Sequence, residues 1–336
     1  MTSDAALPAP VTRDVWRIRT PLPFRPREVH AYLARLDAGR WMLVDGGLGT
    51  EDAWAALDAG VRAAAGGWAP VALHVVTHMH VDHVGLAARV VDACGARVAM
   101  GALDARRMAH AAAEPAEEAE HRAGLMRRAG VPREVLDGLE GMRREMSAAA
   151  PPVCVDDELE GEAGDVPGAP GWRWVWTPGH TAGHVALLRA ADGVMLSGDA
   201  VLPRVQPTVG VNRQRADPVG DALWMLGRVE ALRPAVVLGG HGDPIDDPPG
   251  RIAELRAGYA DESAAFHALL GAEPAAAWAL GERRRPGREL PDGVRIQLVR
   301  ETLAHLQRLA ALGLAREEPL ADGAAGWTRA DAPPPR

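Results

Sequence analysis

The chain has 336 residues, 47% of them hydrophobic and 24% charged, a mix that supports a sizeable core in a soluble globular protein. Its net charge of -8 leaves no basic excess to neutralise phosphates, which argues against holding nucleic acid as the main task. Every basic residue is an arginine, so Schiff-base lysine chemistry, a phosphate-loop lysine and lysine-anchored pyridoxal chemistry are excluded together.

In chain order, the first ten residues are small and Pro-rich and are expected to fray. Strand patterns follow at 15–19, 29–36 and 40–44, the last closed by the turn Asp45-Gly46-Gly47. A helix is expected over 52–65, then a short apolar run at 71–76 that reads as a buried strand. Residues 85–94 read as a helix and 97–100 as a strand. From 103 to 149 the composition turns to Ala, Glu, Arg and Met at helical spacing, which predicts an insertion of two or three helices. Strands are expected at 172–177, 185–189, 194–197 and 235–238, with a helix at 217–232 before the last.

Beyond Pro249 the strand pattern stops until the end of the chain. Residues 251–270 and 295–312 read as helices; in the second, Ile296, Val299, Leu303, Leu306 and Leu309 form one apolar face, and Gly313 can cap it. Two short strands, 314–318 and 327–329, flank the turn Asp322-Gly323. Helix, helix, hairpin is the outline of a small winged-helix module. The expected division is therefore a domain over 11–250, carrying the helical insertion, and a winged-helix-like domain over 251–330.

Cys94 and Cys154 are far apart and form no C-x-x-C pair, so neither a disulfide framework nor a zinc finger is expected, and both read as buried thiols. No basic segment followed by an apolar run opens the sequence, and no stretch is long enough to span a bilayer. A cytoplasmic protein without a membrane partner is expected.

The segment that carries chemistry is Thr77-His78-Met79-His80-Val81-Asp82-His83-Val84-Gly85. Four possible ligands fall within six positions directly after a buried strand. If the strand geometry persists through His80, His78 and His80 point the same way, while Asp82 and His83 face a second position from the loop. Imidazole and carboxylate suit zinc, iron or manganese. Three more candidates stand at strand ends beside glycine: His180 in Gly179-His180-Thr181, Asp199 in Ser197-Gly198-Asp199, and His241 in Gly240-His241-Gly242. The isolated histidines His30, His74, His110, His121, His267 and His305 read as surface or core residues. His184 reads as a structural residue at a strand start, with a hydrogen-bond partner behind the ligands as the alternative, and Trp172, Trp174, Trp176 and Trp224 read as core rather than a substrate platform.

The pattern His-x-His-x-Asp-His, then Gly-His-Thr, Gly-Asp and Gly-His-Gly, resembles the metallo-β-lactamase superfamily in its glyoxalase II-like branch, over about residues 15 to 250. The resemblance implies an α/β fold, an αββα sandwich of two mixed sheets between helical layers. It also implies two divalent metal ions, zinc first, with iron or manganese as alternatives. His78, His80 and His180 would hold one, Asp82, His83 and His241 the other, and Asp199 would bridge them. Asp45 matches a position that supports the histidine loop by hydrogen bonding. The implied reaction is hydrolysis by a hydroxide shared between the metals, oriented by Asp82 as the catalytic residue. No Gly-x-Ser-x-Gly elbow offers a rival nucleophile.

Within the family the antibiotic-hydrolysing members lack a bridging aspartate at the position of Asp199, so the resemblance turns away from β-lactams and toward thioesters or other activated acyl esters. The alternatives are phosphodiester or single-strand RNA cleavage, lactone hydrolysis, and a mononuclear-iron oxidoreductase like the persulfide dioxygenases. The helical insertion either walls the pocket or is a packed excursion. For the C-terminal module, Arg283, Arg284, Arg285 and Arg288 support a DNA-binding reading, but interspersed acids favour a cap over the site or a dimer contact. A small-molecule substrate is the expected partner, with a second copy of the chain as a candidate and no nucleic acid.

Overall fold

The computed structural model describes residues 8–138, 141, 146, 148–287, 289–321 and 323–330. Residues 1–7, Arg288 and Asp322, on which expectations of fraying, basic character and a turn fell, lie outside the described residues.

Seven strands in sequence order make the first sheet: β1 (Ala9–Thr12), β2 (Val15–Pro21), β3 (Glu28–Arg35), β4 (Trp41–Val44), β5 (Val71–Val76), β6 (Arg97–Gly101) and β7 (Asp157–Leu159). The pairings from β1 to β4 are antiparallel, and those from β4 to β7 are parallel. The second sheet runs β12 (Val236–Gly239), β11 (Val194–Gly198), β10 (Val185–Arg189), β9 (Trp172–Trp176), β8 (Ala163–Asp165), with only the β11–β12 pair parallel.

Alternation along each strand assigns its side chains to layers. On β3, Tyr32 and Ala34 face the second sheet and pack with Leu73 and Val75 of β5, Trp172 and Trp174 of β9, and Leu187 of β10. Ala31 and Leu33, one residue out of phase, face outward against Leu57 and Val61 of α1 (Glu51–Ala65). The outer face of the second sheet packs Ala186, Met195 and Val237 against α7 (Pro218–Leu232) and the first half of α8 (Pro248–Leu269). The result is the expected four-layer αββα sandwich with its central core between two mixed sheets.

The insertion expected over 103–149 contains α4 (Ala102–Ala113), α5 (Pro115–Arg128) and α6 (Arg133–Gly138). The helix expected over 85–94 is α3 (Ala87–Cys94), while the loop expected to carry Asp82 and His83 is instead a short helix, α2 (Val81–Val84). Strands β1, β7 and β8 have no counterpart in the sequence reading, since APVT, DEL and AGD are short and carry no apolar run.

After α8 come β13 (Ala275–Ala276), α9 (Ala277–Arg284), α10 (Asp292–Ala311), β14 (Ala315–Pro319) and β15 (Ala325–Arg329), the three strands ordered β13-β15-β14. The strand β13 and helix α9 escaped the sequence reading. One hydrophobic cluster joins this C-terminal segment to the insertion: Met126, Ala129, Val131 and Val135 pack with Phe266, Leu280, Val299, Leu303 and Trp327. The thiols differ from expectation: Cys94 is half-buried and Cys154 exposed. Trp224 likewise is exposed at 39%, lying on the outer face of α7 beside Arg228 rather than in the core. Among the described residues no helix is long and apolar enough to cross a membrane.

Candidate metal centre

Five segments reach one edge of the sandwich, each just past the C-terminal end of a strand: Asp45 after β4, residues 77–83 after β5, His180 after β9, Asp199 after β11 and His241 after β12. Strand ends are where backbone can leave the hydrogen-bonded ladder and present side chains to one point. The structure brings together all seven residues singled out in the sequence. Three overlapping groups, His78–His80–His180, His78–His83–Asp199 and Asp82–His83–His241, each place one donor atom per residue within 4.8 Å of the others.

The hydrogen bonds behind the site fix which ring nitrogen faces inward. Asp45, buried and at φ 58°, accepts from the Thr77 backbone N–H at 2.8 Å, from Thr77 Oγ1 at 2.8 Å and from His83 Nδ1 at 2.8 Å. Because the Thr77 hydroxyl proton goes to Asp45, Thr77 Oγ1 can only accept from His78 Nδ1, 3.0 Å away. The lone pair of His78 is therefore on Nε2, which faces His80 Nδ1 at 3.1 Å. His180 Nδ1 donates to the Thr208 carbonyl at 2.7 Å and His241 Nδ1 to the Glu28 carbonyl at 2.8 Å. Each outer N–H bound to oxygen turns the opposite nitrogen inward, the arrangement that orients metal-ligating imidazoles.

Between these groups, His83 Nε2 lies 3.6 Å from Asp199 Oδ1, His180 Nε2 lies 3.6 Å from Asp199 Oδ2, and His241 Nε2 lies 3.5 Å from both Asp82 Oδ2 and Asp199 Oδ2. Asp199 thus stands between the histidines of both groups. His83 Nε2, His180 Nε2 and Asp199 Oδ1 are buried without any hydrogen-bond partner. Buried polar atoms are costly when left unpaired, and three within one ligand cluster are accounted for by bound cations. The donor set, imidazoles and carboxylates without thiolate, fits divalent metal ions.

The electrostatics are those of a site arranged for added positive charge. Burial pushes His78 well below the usual imidazole range, and its neighbours His83 and His80 push it further. Burial also works against charge on His83, but the carboxylates of Asp45, Asp199 and Asp82 outweigh it and raise its pKa well above the usual value. Against the same burial penalty, His241 is raised to about 10 by Asp199 and Asp82.

Two further residues support the centre from behind. His184, read from sequence as structural, accepts the Asp199 backbone N–H on Nε2 at 3.1 Å while Nδ1 faces Thr177 Oγ1 at 2.7 Å, so it sets the direction of Asp199. Asp104 was missed altogether. Fully buried in the first turn of α4, it accepts from Met79 N at 3.0 Å, Thr181 Oγ1 at 2.6 Å and Gly183 N at 2.7 Å, tying the His78–His80 loop to the His180 loop. Burial pushes its carboxyl up to about 6 against the lowering effect of those donors. In the sequence nothing separates Asp104 from an ordinary acid near a helix start.

Glycine is required where backbone meets the centre. A Cβ on Gly240 would lie 2.4 Å from Asp199 Oδ1 and 2.7 Å from His83 Cε1. The Gly239–Gly240 turn is held by Tyr32 Oη donating to the Gly239 carbonyl at 2.7 Å and His30 N donating to the Gly240 carbonyl at 2.7 Å, two contacts between the sheets that the sequence did not disclose.

A cavity of about 800 Å³ opens beside Met79 and His80. Its other walls come from α5 and α6 of the insertion, the 211–213 loop, and Ile296 and Arg300 of α10. The insertion therefore walls the pocket, and α10 of the C-terminal segment adds Ile296 and Arg300 to its lining.

The family model of the metallo-beta-lactamase superfamily matches residues 24–241. A crystal structure of a metallo-beta-lactamase family protein from Thermus thermophilus shares 31% identity, covering 95% of this chain and all of that one, with a TM-score of 0.82. A beta-lactamase domain protein from Burkholderia ambifaria shares 30% identity over 96% of this chain and 94% of its own, with a TM-score of 0.81. The chain is also 28% identical, over 70% of its length and 73% of the other's, to the probable metallo-hydrolase YqjP of Bacillus subtilis (strain 168).

Proposed function

Since the chain belongs to the metallo-β-lactamase superfamily, we propose that it is a hydrolase working with two divalent metal ions, zinc first, on thioesters or other activated acyl esters. The observation that carries this reading is the convergence of three buried, partnerless atoms, His83 Nε2, His180 Nε2 and Asp199 Oδ1, within a cluster of seven donors. His78, His80 and His180 would hold one ion and Asp82, His83 and His241 the second, with Asp199 available to both. Bound there, the ions supply Lewis acidity that activates water near neutral pH and offsets negative charge developing on a substrate oxygen.

The chain's own residues do the rest. Asp82, 3.5 Å from His241 and 3.9 Å from His83, is the half-buried carboxylate placed to accept a hydrogen bond from the attacking water. Asp45 keeps the His83 ring from rotating, while Asp104 and His184 hold the backbone and loops that carry the other ligands. The cavity beside His80 seats the acyl group and, with the apolar side chains of the insertion, excludes bulk water.

We read the C-terminal helix–strand–helix–helix–hairpin as a winged-helix-like module serving as a cap. Its helix α10 gives Ile296 and Arg300 to the cavity. Arg284 and Arg285, the basic run that pointed to DNA, pair with Glu262 at 2.8 Å and 3.4 Å.

The test is metal content by mass spectrometry on purified protein, with an Asp199→Ala variant beside it. About two ions per chain, with loss in the variant and with thioester hydrolysis lost in parallel, is the expected result. One tightly held iron, unchanged on replacing His83 or His241, overturns the reading in favour of an oxidoreductase.

A further inference from the structure

In a protein of net charge -8, the cavity beside the metal centre is locally basic: six arginines line it against two carboxylates, Glu118 and Asp137. Two of the six, Arg127 and Arg133, sit at the rim and pair with Glu120 and Asp137. The other four, Arg107, Arg122, Arg213 and Arg300, gather around Glu118. That buried carboxylate is shared: Arg107 binds it in a two-pronged ion pair, Arg122 lies 3.4 Å away and Arg213 3.7 Å away. Arg213 has a second partner in Glu117 at 2.8 Å.

Arg300 has no carboxylate within ion-pair distance among the described residues. Its Nη2 donates to the Val211 carbonyl at a long 3.4 Å, and its own carbonyl accepts from Val211 N at 3.1 Å, so the backbone of α10 is fixed while most of the guanidinium fork is unused. Burial and the neighbouring charges of Arg122 and Arg107 work against that cation. A half-buried guanidinium among other cations is a binding group that lacks its anion. The same cavity is lined by Leu125, Met126, Leu136 and Ile296, which make an apolar wall.

We propose that the cavity binds an amphiphilic anion, a medium-length acyl or alkyl chain along the apolar wall with its negatively charged group on Arg300, and that Arg300 determines specificity for such ligands. A carboxylate or phosphate matches the planar fork in two-point fashion, and each buried methylene adds about 0.8 kcal/mol. That the ligand is the substrate rests on the hydrolase reading above; its capture by the cavity does not.

The test therefore measures binding apart from metal content and turnover. Calorimetry with octanoate and its neutral isostere octanamide compares the full chain with Arg300→Met and Asp199→Ala, each checked for folding by its unfolding midpoint. The expected result is at least a tenfold preference for octanoate, erased by Arg300→Met with metal content unchanged, and partly restored by Arg300→Lys. Equal binding of the two probes, no binding of either, or a preference that survives Arg300→Met overturns the proposal. A preference lost in Asp199→Ala but kept in Arg300→Met also overturns it, since the anion is then taken by the metals. Failure of the hydrolase reading appears separately, in the metal analysis.

Discussion

At the metal centre His78, His83, His180 and His241 are each held from behind by an oxygen, and the acceptors come from strand ends and loops of the sandwich itself. In the cavity beside it, Arg300 lies among other arginines, on a helix of the C-terminal segment that packs both on the insertion and on the outer helices of the sandwich. The first region is over-determined: removing one contact leaves buried donors that nothing else can satisfy. The second is under-satisfied in charge and waits for a ligand. Chemistry is thus lodged in the part of the fold that cannot move cheaply, and selectivity in the part where substitutions alter charge without dismantling the core.

If that difference holds, the largest effect falls at Asp45. Asp45→Ala strands the Thr77 N–H and hydroxyl and the His83 Nδ1–H, all buried, and breaks a fully buried pair. The expected loss is about 3–5 kcal/mol of stability, read as a shift of the denaturant midpoint at constant slope, with loss of the metals. A variant that keeps its midpoint would mean that the loop is held by its ligands alone and that the region is not over-determined.

A smaller effect is expected at Asp104, which lies outside the ligand cluster but ties two of its loops together. Asp104→Ala leaves three donors without their acceptor, at a cost of about 1–3 kcal/mol, and is expected to weaken metal binding by about 10–100-fold. Competition with a chelator measures the affinity. Metal affinity unchanged in a folded variant would show that the two loops are positioned independently.

The same difference governs what could be read from the sequence. His78, His80, Asp82 and His83 are legible because four ligands crowd into six positions after a buried strand, and His180, Asp199 and His241 because glycine flanks each at a strand end. Tyr32, Asp104 and Arg300 are not, because each acts on residues far along the chain: Asp104 on Thr181 and Gly183, Arg300 on the Val211 loop, Tyr32 on Gly239. The sandwich showed itself through short apolar runs of four to eight residues closed by glycine-rich turns, whereas β7, β8 and β13 took their form from neighbours already in place. Composition misled in one respect. A net negative chain gave no hint of a basic cavity, because local charge depends on which helices the fold brings together.

The smallest expected effect sharpens the contrast within the cavity itself. Arg133 lines the same space as Arg300, yet its side chain is 91% exposed and it has Asp137 at 3.6 Å. Water and salt screen such a charge, so Arg133→Ala is expected to change octanoate affinity by less than about twofold, and that residue's share should vanish as ionic strength rises past the point where the screening length falls below ~8 Å. The Arg300 contribution, shielded from solvent by α5 and the 211–213 loop, should persist under the same titration. If instead Arg133→Ala costs as much as Arg300→Met, the cavity attracts anions through the summed field of its rim. The distinction between a built recognition group and a diffuse basic surface then fails, whatever the metal centre does.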